Sequence, residues 1–234
     1  PMNFTEVFFD AAVASVGPIA AAYALAAIGL NLQFGYAGLL NFGHVGFMLA
    51  GAYGLAITVD VGGSFWLGLV VGIAAAVALG LLLGAPTLRL RADYLAIVTI
   101  SAGEILRLVV RSSWAEPVTN GVFGFQRFAT PFHDLNPFEA NDRYGIGRFN
   151  FQGRQLWLMV VGWTLAVLAT LLIMRIIKSP WGRALRGVRE DEDALRSLGK
   201  NVFMYKLQAL TVGGALGGLA GMLLVTEQQS ATPD

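Results

Sequence analysis

Residues 11–59 contain no Asp, Glu, Lys or Arg, and residues 61–88 contain none either. A helix needs about 20 apolar residues to cross a bilayer, so the first run is too long for one crossing and holds two. The stretch "NLQFGYAG" (31–38), with Asn31, Gln33, Gly35 and Gly38, divides it. The pattern predicts six spans, at 11–32, 35–59, 65–85, 94–111, 156–177 and 205–225, the third ended by Pro86. Backbone groups in lipid must be satisfied within the structure, and these runs lack the alternation of polar residues that marks barrel strands. The expected fold is all-α, a single polytopic membrane helix bundle over residues 1–234.

Composition excludes several classes of function. Hydrophobic residues make up 56% and charged residues 13% of the chain, whereas soluble domains carry about 25% charged residues. There is no cysteine, hence no disulfide or thiolate metal site. Two histidines, His44 and His133, are too few for a histidine metal site, so no metal is expected. A net charge of +1 does not attract nucleic acid. The start of the chain lacks the basic n-region of a cleavable signal peptide. The single Gly-Lys pair, Gly199–Lys200, is followed by Asn201 and has Ala194 where a phosphate-binding loop needs its first glycine. No zinc-protease or nucleophile-elbow motif occurs, so no catalytic residues are expected. Any ATP and magnesium used belong to another chain.

Orientation follows from the basic residues. None of the 16 Lys and Arg precedes Arg89. Arg89 and Arg91 separate the third and fourth spans, and Arg175, Lys178, Arg183, Arg186, Arg189, Arg196, Lys200 and Lys206 crowd the connection between the fifth and sixth. The positive-inside rule makes both connections cytoplasmic. Residues 112–155 then form an external loop. It carries eight Phe or Tyr between Phe123 and Phe151, which suit either the headgroup level of the membrane or the docking of an external partner.

Polar groups inside spans are costly there and mark candidate sites. Asn41, His44 and Tyr53 lie among Gly43, Gly46, Gly51 and Gly54. With Asn31 and Gln33 before them, they read as a broken helix lining a substrate path, or as hydrogen-bonding groups between helices. Glu104 and Arg107, three apart on one helical face, read as a structural ion pair or, through Glu104, as a proton-coupling site. In the last span Gly213, Gly217 and Gly221 recur every four residues, as do Gly214 and Gly218. Small residues at that spacing let helix backbones approach closely in lipid.

The segment "SPWGRALRGVREDEDALRSLGKNV" carries five basic and four acidic residues. Ser179 suits an N-cap and Pro180 the first helical position. Trp181, Ala184, Leu185 and Val188 repeat at helical spacing, with Arg183, Arg186 and Arg189 elsewhere on the helix. Glu190, Asp191, Glu192 and Asp193 begin a second short helix with Asp191 as N-cap, and Gly199 fits the position past its end. Ala194, Leu195 and Leu198 form its apolar face, and Arg196 lies beside them. The pattern gives two short amphipathic helices, or an interfacial loop that obeys the charge rule alone.

Three blocks, "GLNLQFGYAGLLNFGHVGFMLAGAY" (29–53), "DYLAIVTISAGEILRLV" (93–109) and the run from Ser179 to Leu224, resemble bacterial ABC-transporter permeases for branched-chain amino acids, of the M type in the leucine-isoleucine-valine system. The resemblance implies a multi-pass inner-membrane permease. Its implied partners are a second permease subunit, two cytoplasmic ATPases that carry ATP and magnesium, and an external substrate-binding protein. It also implies that residues 179–202 are the coupling loop that docks on the ATPase, with Glu192–Asp193–Ala194 and Gly199 an approximate copy of that loop's consensus. Members are longer, so six spans is a lower bound and the chain reads as a fragment. The alternatives are the same machinery with urea, amide or sugar cargo, and a stand-alone channel or proton-coupled carrier using Glu104 and His44.

Overall fold

A computed structural model describes residues 4–88, 92–126, 128–139, 142–146 and 149–233. Arg89 and Arg91, used above for orientation, lie outside them. In chain order the helices are α1 (Phe4–Val16), α2 (Pro18–Asn31), α3 (His44–Asp60), α4 (Phe65–Thr87), α5 (Ala92–Arg111), α6 (Glu116–Thr119), α7 (Thr130–His133), α8 (Gly153–Lys178), α9 (Pro180–Glu190), α10 (Glu192–Ser197) and α11 (Val202–Gln228). Four short strands, β1 (Phe125–Gln126), β2 (Arg143–Ile146), β3 (Phe149–Gln152) and β4 (Ser230–Ala231), complete the described residues. The all-α membrane architecture holds.

Three sequence expectations are corrected. The first span is not one helix from residue 11: Pro18 supplies no backbone N–H to continue α1, so α2 starts afresh with Pro18 in its first turn. The second span does not begin at 35. A π-helical turn over Leu32–Tyr36 follows α2 directly, residues 37–43 are non-helical, and α3 starts at His44. Pro86 also lies inside the last turn of α4 rather than ending it. Among the described residues, four helical stretches are long and apolar enough to cross a membrane: Pro18–Tyr36, Phe65–Thr87, Gly153–Lys178 and Val202–Gln228. The 17-residue α3 is apolar but shorter, and α5 is long but carries Glu104, Arg107 and Arg111.

α11 is the central helix, packed on α2, α3 and α4. Its glycines face different neighbours. A Cβ on Gly213 would lie 2.6 Å from the Gly29 carbonyl oxygen of α2, and one on Gly218 would lie 2.6 Å from Ala76 Cβ of α4. Gly214 and Gly217 face Phe47 and His44 of α3, and Gly221 faces the Met48 backbone. The pattern read from spacing therefore serves three interfaces inside this chain, with backbones in contact as membrane helices require.

Three of the aromatics in the segment 112–155 turn inward. β1 pairs antiparallel with β4, with Phe125 opposite Ala231. Phe125, Phe128 and Phe132 are buried, Phe125 edge-on to Tyr53 of α3 and Phe132 against Phe65 of α4 and Trp157 of α8. The apolar helix ends offer these rings more burial than water would, so they close the end of the bundle. Phe123 remains exposed, and β2 and β3 form a hairpin. The opposite end carries α9 and α10 between α8 and α11.

Candidate functional site

The break between α2 and α3 is held by a chain of buried polar contacts. Gln33 is fully buried. Its Nε2 donates to the Leu210 carbonyl of α11 at 2.9 Å, and its Oε1 accepts from Asn41 Nδ2 at 2.8 Å. Asn41 Oδ1 in turn accepts from the Gly43 N–H at 3.0 Å, at the start of α3. Gly38 adopts φ +68°, a left-handed conformation that suits a residue without Cβ. From the far side the Phe42 N–H donates to Thr99 Oγ1 of α5 at 3.2 Å. A broken helix in a membrane must have its freed backbone groups satisfied by protein; Thr99 and Asn41 do this for the N–H groups of Phe42 and Gly43, and backbone carbonyls do it for residues 37–39 and 41.

Gln33, Asn41 and His44 thus come together beside α11, with the buried His44 ring packed against Phe47 and Gly217. Asn31, the last residue of α2, is exposed. Tyr53 stands apart, buried near the other end of α3 with its ring edge-on to Phe125 at 6.0 Å. Glu104 is also apart from the polar cluster, yet shares a cavity with the break. Arg107 binds it through two contacts, Nη2 to Oε1 at 2.8 Å and Nε to Oε2 at 3.0 Å. That cavity, 250 Å³, runs between the start of α3 and the middle of α5.

The charged segment folds as its caps dictate. The Ser179 hydroxyl accepts from the Gly182 N–H, and Asp191 Oδ1 accepts from the N–H groups of Asp193 and Ala194, both at 3.0 Å. Gly199 takes φ +74° just past the end of α10. α9 buries Gly182, Leu185 and Val188 against the bundle and leaves Arg183, Arg186, Arg189 and Glu190 outward. Nothing on α10 is buried, and Ala194 and Leu198 face solvent.

Two links tie this pair to the bundle. The Arg189 guanidinium donates to the Gly35 carbonyl in the π-turn. Lys206, near the start of α11, pairs with Glu192, which also accepts from Arg196. Arg196 reaches Asp193 at 3.0 Å as well. Sequence reasoning noted Lys206 only as a basic charge. The Gly35 contact had no sequence signal, because it joins residues 154 positions apart.

An apolar bundle with a buried polar break and an outward pair of amphipathic helices marks a multi-pass membrane protein. The chain belongs to the family of branched-chain amino acid transport system permease components, whose profile matches residues 14–234. It is 34% identical over 223 residues to the high-affinity branched-chain amino acid transport system permease protein LivM of Salmonella typhimurium, covering 91% of this chain and 52% of that one. To LivM of Escherichia coli it is 35% identical over 222 residues, with the same two coverages. A probable LivM of Methanocaldococcus jannaschii is 26% identical over 238 residues, 86% of this chain and 63% of the relative. More distant relatives are named as nucleoside and glucose permeases. The chain spans about half the length of the bacterial relatives. No solved structure matches it significantly.

Proposed function

We propose that this chain is part of the permease subunit of an ATP-binding-cassette importer for branched-chain amino acids in the bacterial inner membrane. A second permease subunit completes the path, and an external binding protein delivers the cargo. Two cytoplasmic ATPases bind ATP and magnesium and drive the cycle. The two bacterial relatives named for branched-chain amino acids, at 34% and 35% identity, are more similar to this chain than those named for nucleoside or glucose, at 26% and 27%, and the cargo assignment follows them.

The observation that carries the reading is the α9–α10 pair. Arg183, Arg186, Glu190, Ala194 and Leu198 present an outward mixed charged and apolar face, suited to a groove on an ATPase. Motion at that face has two routes inward: through Glu192 and Lys206 to α11, and through Arg189 and Gly35 to the broken region that includes Asn31, Gln33, Asn41 and His44. Tyr53 and Glu104 complete the path-lining set in this reading.

The test is co-purification from mild detergent of the full-length protein, wild type and with Ala194→Arg and Leu198→Glu together. Both positions are exposed, so the substitutions leave the fold intact. ATPase recovered with wild type but lost from the double variant supports the coupling role. An ATPase retained equally by both removes α10 from the interface. Leucine uptake by wild type with no ATPase present would establish a stand-alone carrier instead.

A further inference from the structure

We propose that Glu104 and Arg107 form a zwitterion clamp, a substrate subsite in the cavity between α3 and α5 that reads the two charges of a free amino acid. The proposal rests on the amino-acid cargo reading given above.

Three features of the cavity lead to it. The first is cost. Ionisable groups within a membrane span face water or protein rather than lipid. Glu104 lies in the second half of α5 and Arg107 close to its C-terminal end, and their side chains are 52% and 34% exposed. With α5 crossing the bilayer, this face meets a polar compartment or a partner, and the cavity opens on it. The second is lining. Phe42, Val45, Leu49, Ile100 and Pro233 surround the pair with apolar surface, enough for a branched aliphatic side chain, and Thr232 adds one hydroxyl. At 250 Å³ it is below the range typical of drug-sized ligands, as a small metabolite requires. The third is placement. Phe42 and Val45 belong to the broken region and to the first turn of α3, so ligand in this cavity touches the segment that Gln33 and Asn41 tie to α11.

The chemistry matches in both halves. A free amino acid carries an ammonium, which pairs with the Glu104 carboxylate. Its carboxylate suits the planar fork of the Arg107 guanidinium. The side chain then lies along Ile100 and Val45. Before cargo arrives the two protein charges neutralise each other, which keeps either from standing alone in the span.

The experiment measures binding to the purified permease–ATPase complex in nanodiscs by saturation-transfer NMR. Three ligands are compared: L-leucine, 3-methylbutan-1-amine (leucine without its carboxylate) and 4-methylpentanoate (leucine without its ammonium). Leucine uptake by the wild-type complex, with its binding protein, is measured in parallel. The expected result is that Glu104→Gln weakens leucine and the amine at least tenfold while sparing 4-methylpentanoate, and that Arg107→Gln does the reverse. Leucine uptake by wild type with unchanged leucine binding in both variants overturns the clamp and leaves the cargo reading standing. Equal weakening of all three ligands also overturns it, as a structural defect. A wild-type complex that takes up no leucine removes the cargo reading and the clamp with it.

Discussion

The Gln33 side chain bridges Asn41 and the Leu210 carbonyl, donating to Leu210 at 2.9 Å and accepting from Asn41 at 2.8 Å. One fully buried amide thereby joins the π-turn, the non-helical break and the central helix. Replacing Gln33 by Leu keeps the volume but leaves the Asn41 amide and the Leu210 carbonyl without this partner. A buried group stripped of its hydrogen bond costs about 1–3 kcal/mol. Gln33→Leu should lower the resistance of the purified protein to unfolding in SDS by that amount. Gln33→Glu should do worse, since it adds a buried charge. A Gln33→Leu protein as stable as wild type would show that the network is dispensable.

The glycines of α11 make a second prediction with an internal control. A methyl on Gly218 would come 2.6 Å from Ala76 Cβ, which cannot swing away, and it also faces Gly51 on α3. Gly218→Ala should cost about 1–3 kcal/mol by overpacking, and Gly218→Leu more. At Gly17 the nearest atom to an added Cβ is the Ala14 carbonyl oxygen at 3.4 Å, an ordinary contact. Gly17→Ala should be close to neutral. Gly217 faces His44 and Phe47 of the same chain, so Gly217→Leu should disrupt this chain's own fold, visible as protease sensitivity before any partner is added. Equal protease resistance across all four proteins would refute the packing argument.

These interfaces bear on what was legible in the sequence. Caps are local, and Ser179, Asp191 and Gly199 act within three residues of themselves, so the two short helices could be read directly. The glycine spacing announced tight contacts but not their partners, because Gly213, Gly218 and Gly221 each serve a different neighbour. The polar residues of 31–44 marked a broken helix. Whether they line a path or brace the break was open, and for Gln33 and Asn41 the bracing contacts are now visible. The break at Gly17–Pro18 carried a proline signal that the long uncharged run concealed. The pairing of Phe125 with Ala231 had no signal at all, since each strand is two residues long and more than a hundred residues separate them. Phe125 is buried in that pair and Phe132 against Phe65 and Trp157, contacts between distant residues that the aromatic spacing alone did not mark.

The capped end of the bundle has a pH-dependent element in His133, on α7. Burial, and then the nearby Arg154 charge, hold its imidazole below the ordinary value of 6.5. Below about pH 6.5 the unfolded chain takes up a proton at this position more readily than the folded one. The stabilisation from keeping His133 neutral is therefore complete above that pH and declines as pH falls toward the folded-state value. Thermal unfolding should show the loss on going from pH 7.5 to 5.5, and His133→Phe should flatten that part of the profile. Arg154→Gln should raise the His133 titration midpoint, read by NMR of the labelled imidazole. A midpoint unmoved by Arg154→Gln would remove the arginine from the explanation.

The number of crossings can be decided by parity, because the chain has no cysteine of its own. Val61, Phe123 and Leu198 are each more than three-quarters exposed and lie in three different connections, so Val61→Cys, Phe123→Cys and Leu198→Cys each report one side. α4 is long and apolar enough to cross, and a crossing places residue 88 opposite Val61. If α5 also crosses, despite Glu104 and Arg107, the chain returns and Phe123 lies on the same side as Val61. The pairing of β1 with β4 demands this, since it sets the end of the segment after α5 beside the end of α11. A membrane-impermeant maleimide applied to intact cells should therefore label Val61→Cys and Phe123→Cys alike, and Leu198→Cys only after permeabilisation. Labelling of Val61→Cys without Phe123→Cys would keep α5 from crossing and would place its ion pair outside the bilayer, where a charged pair carries no cost that needs explaining. Labelling of both means that α5 carries its two charges through the membrane, and a water-filled or protein-lined compartment beside Glu104 and Arg107 is then required by energetics.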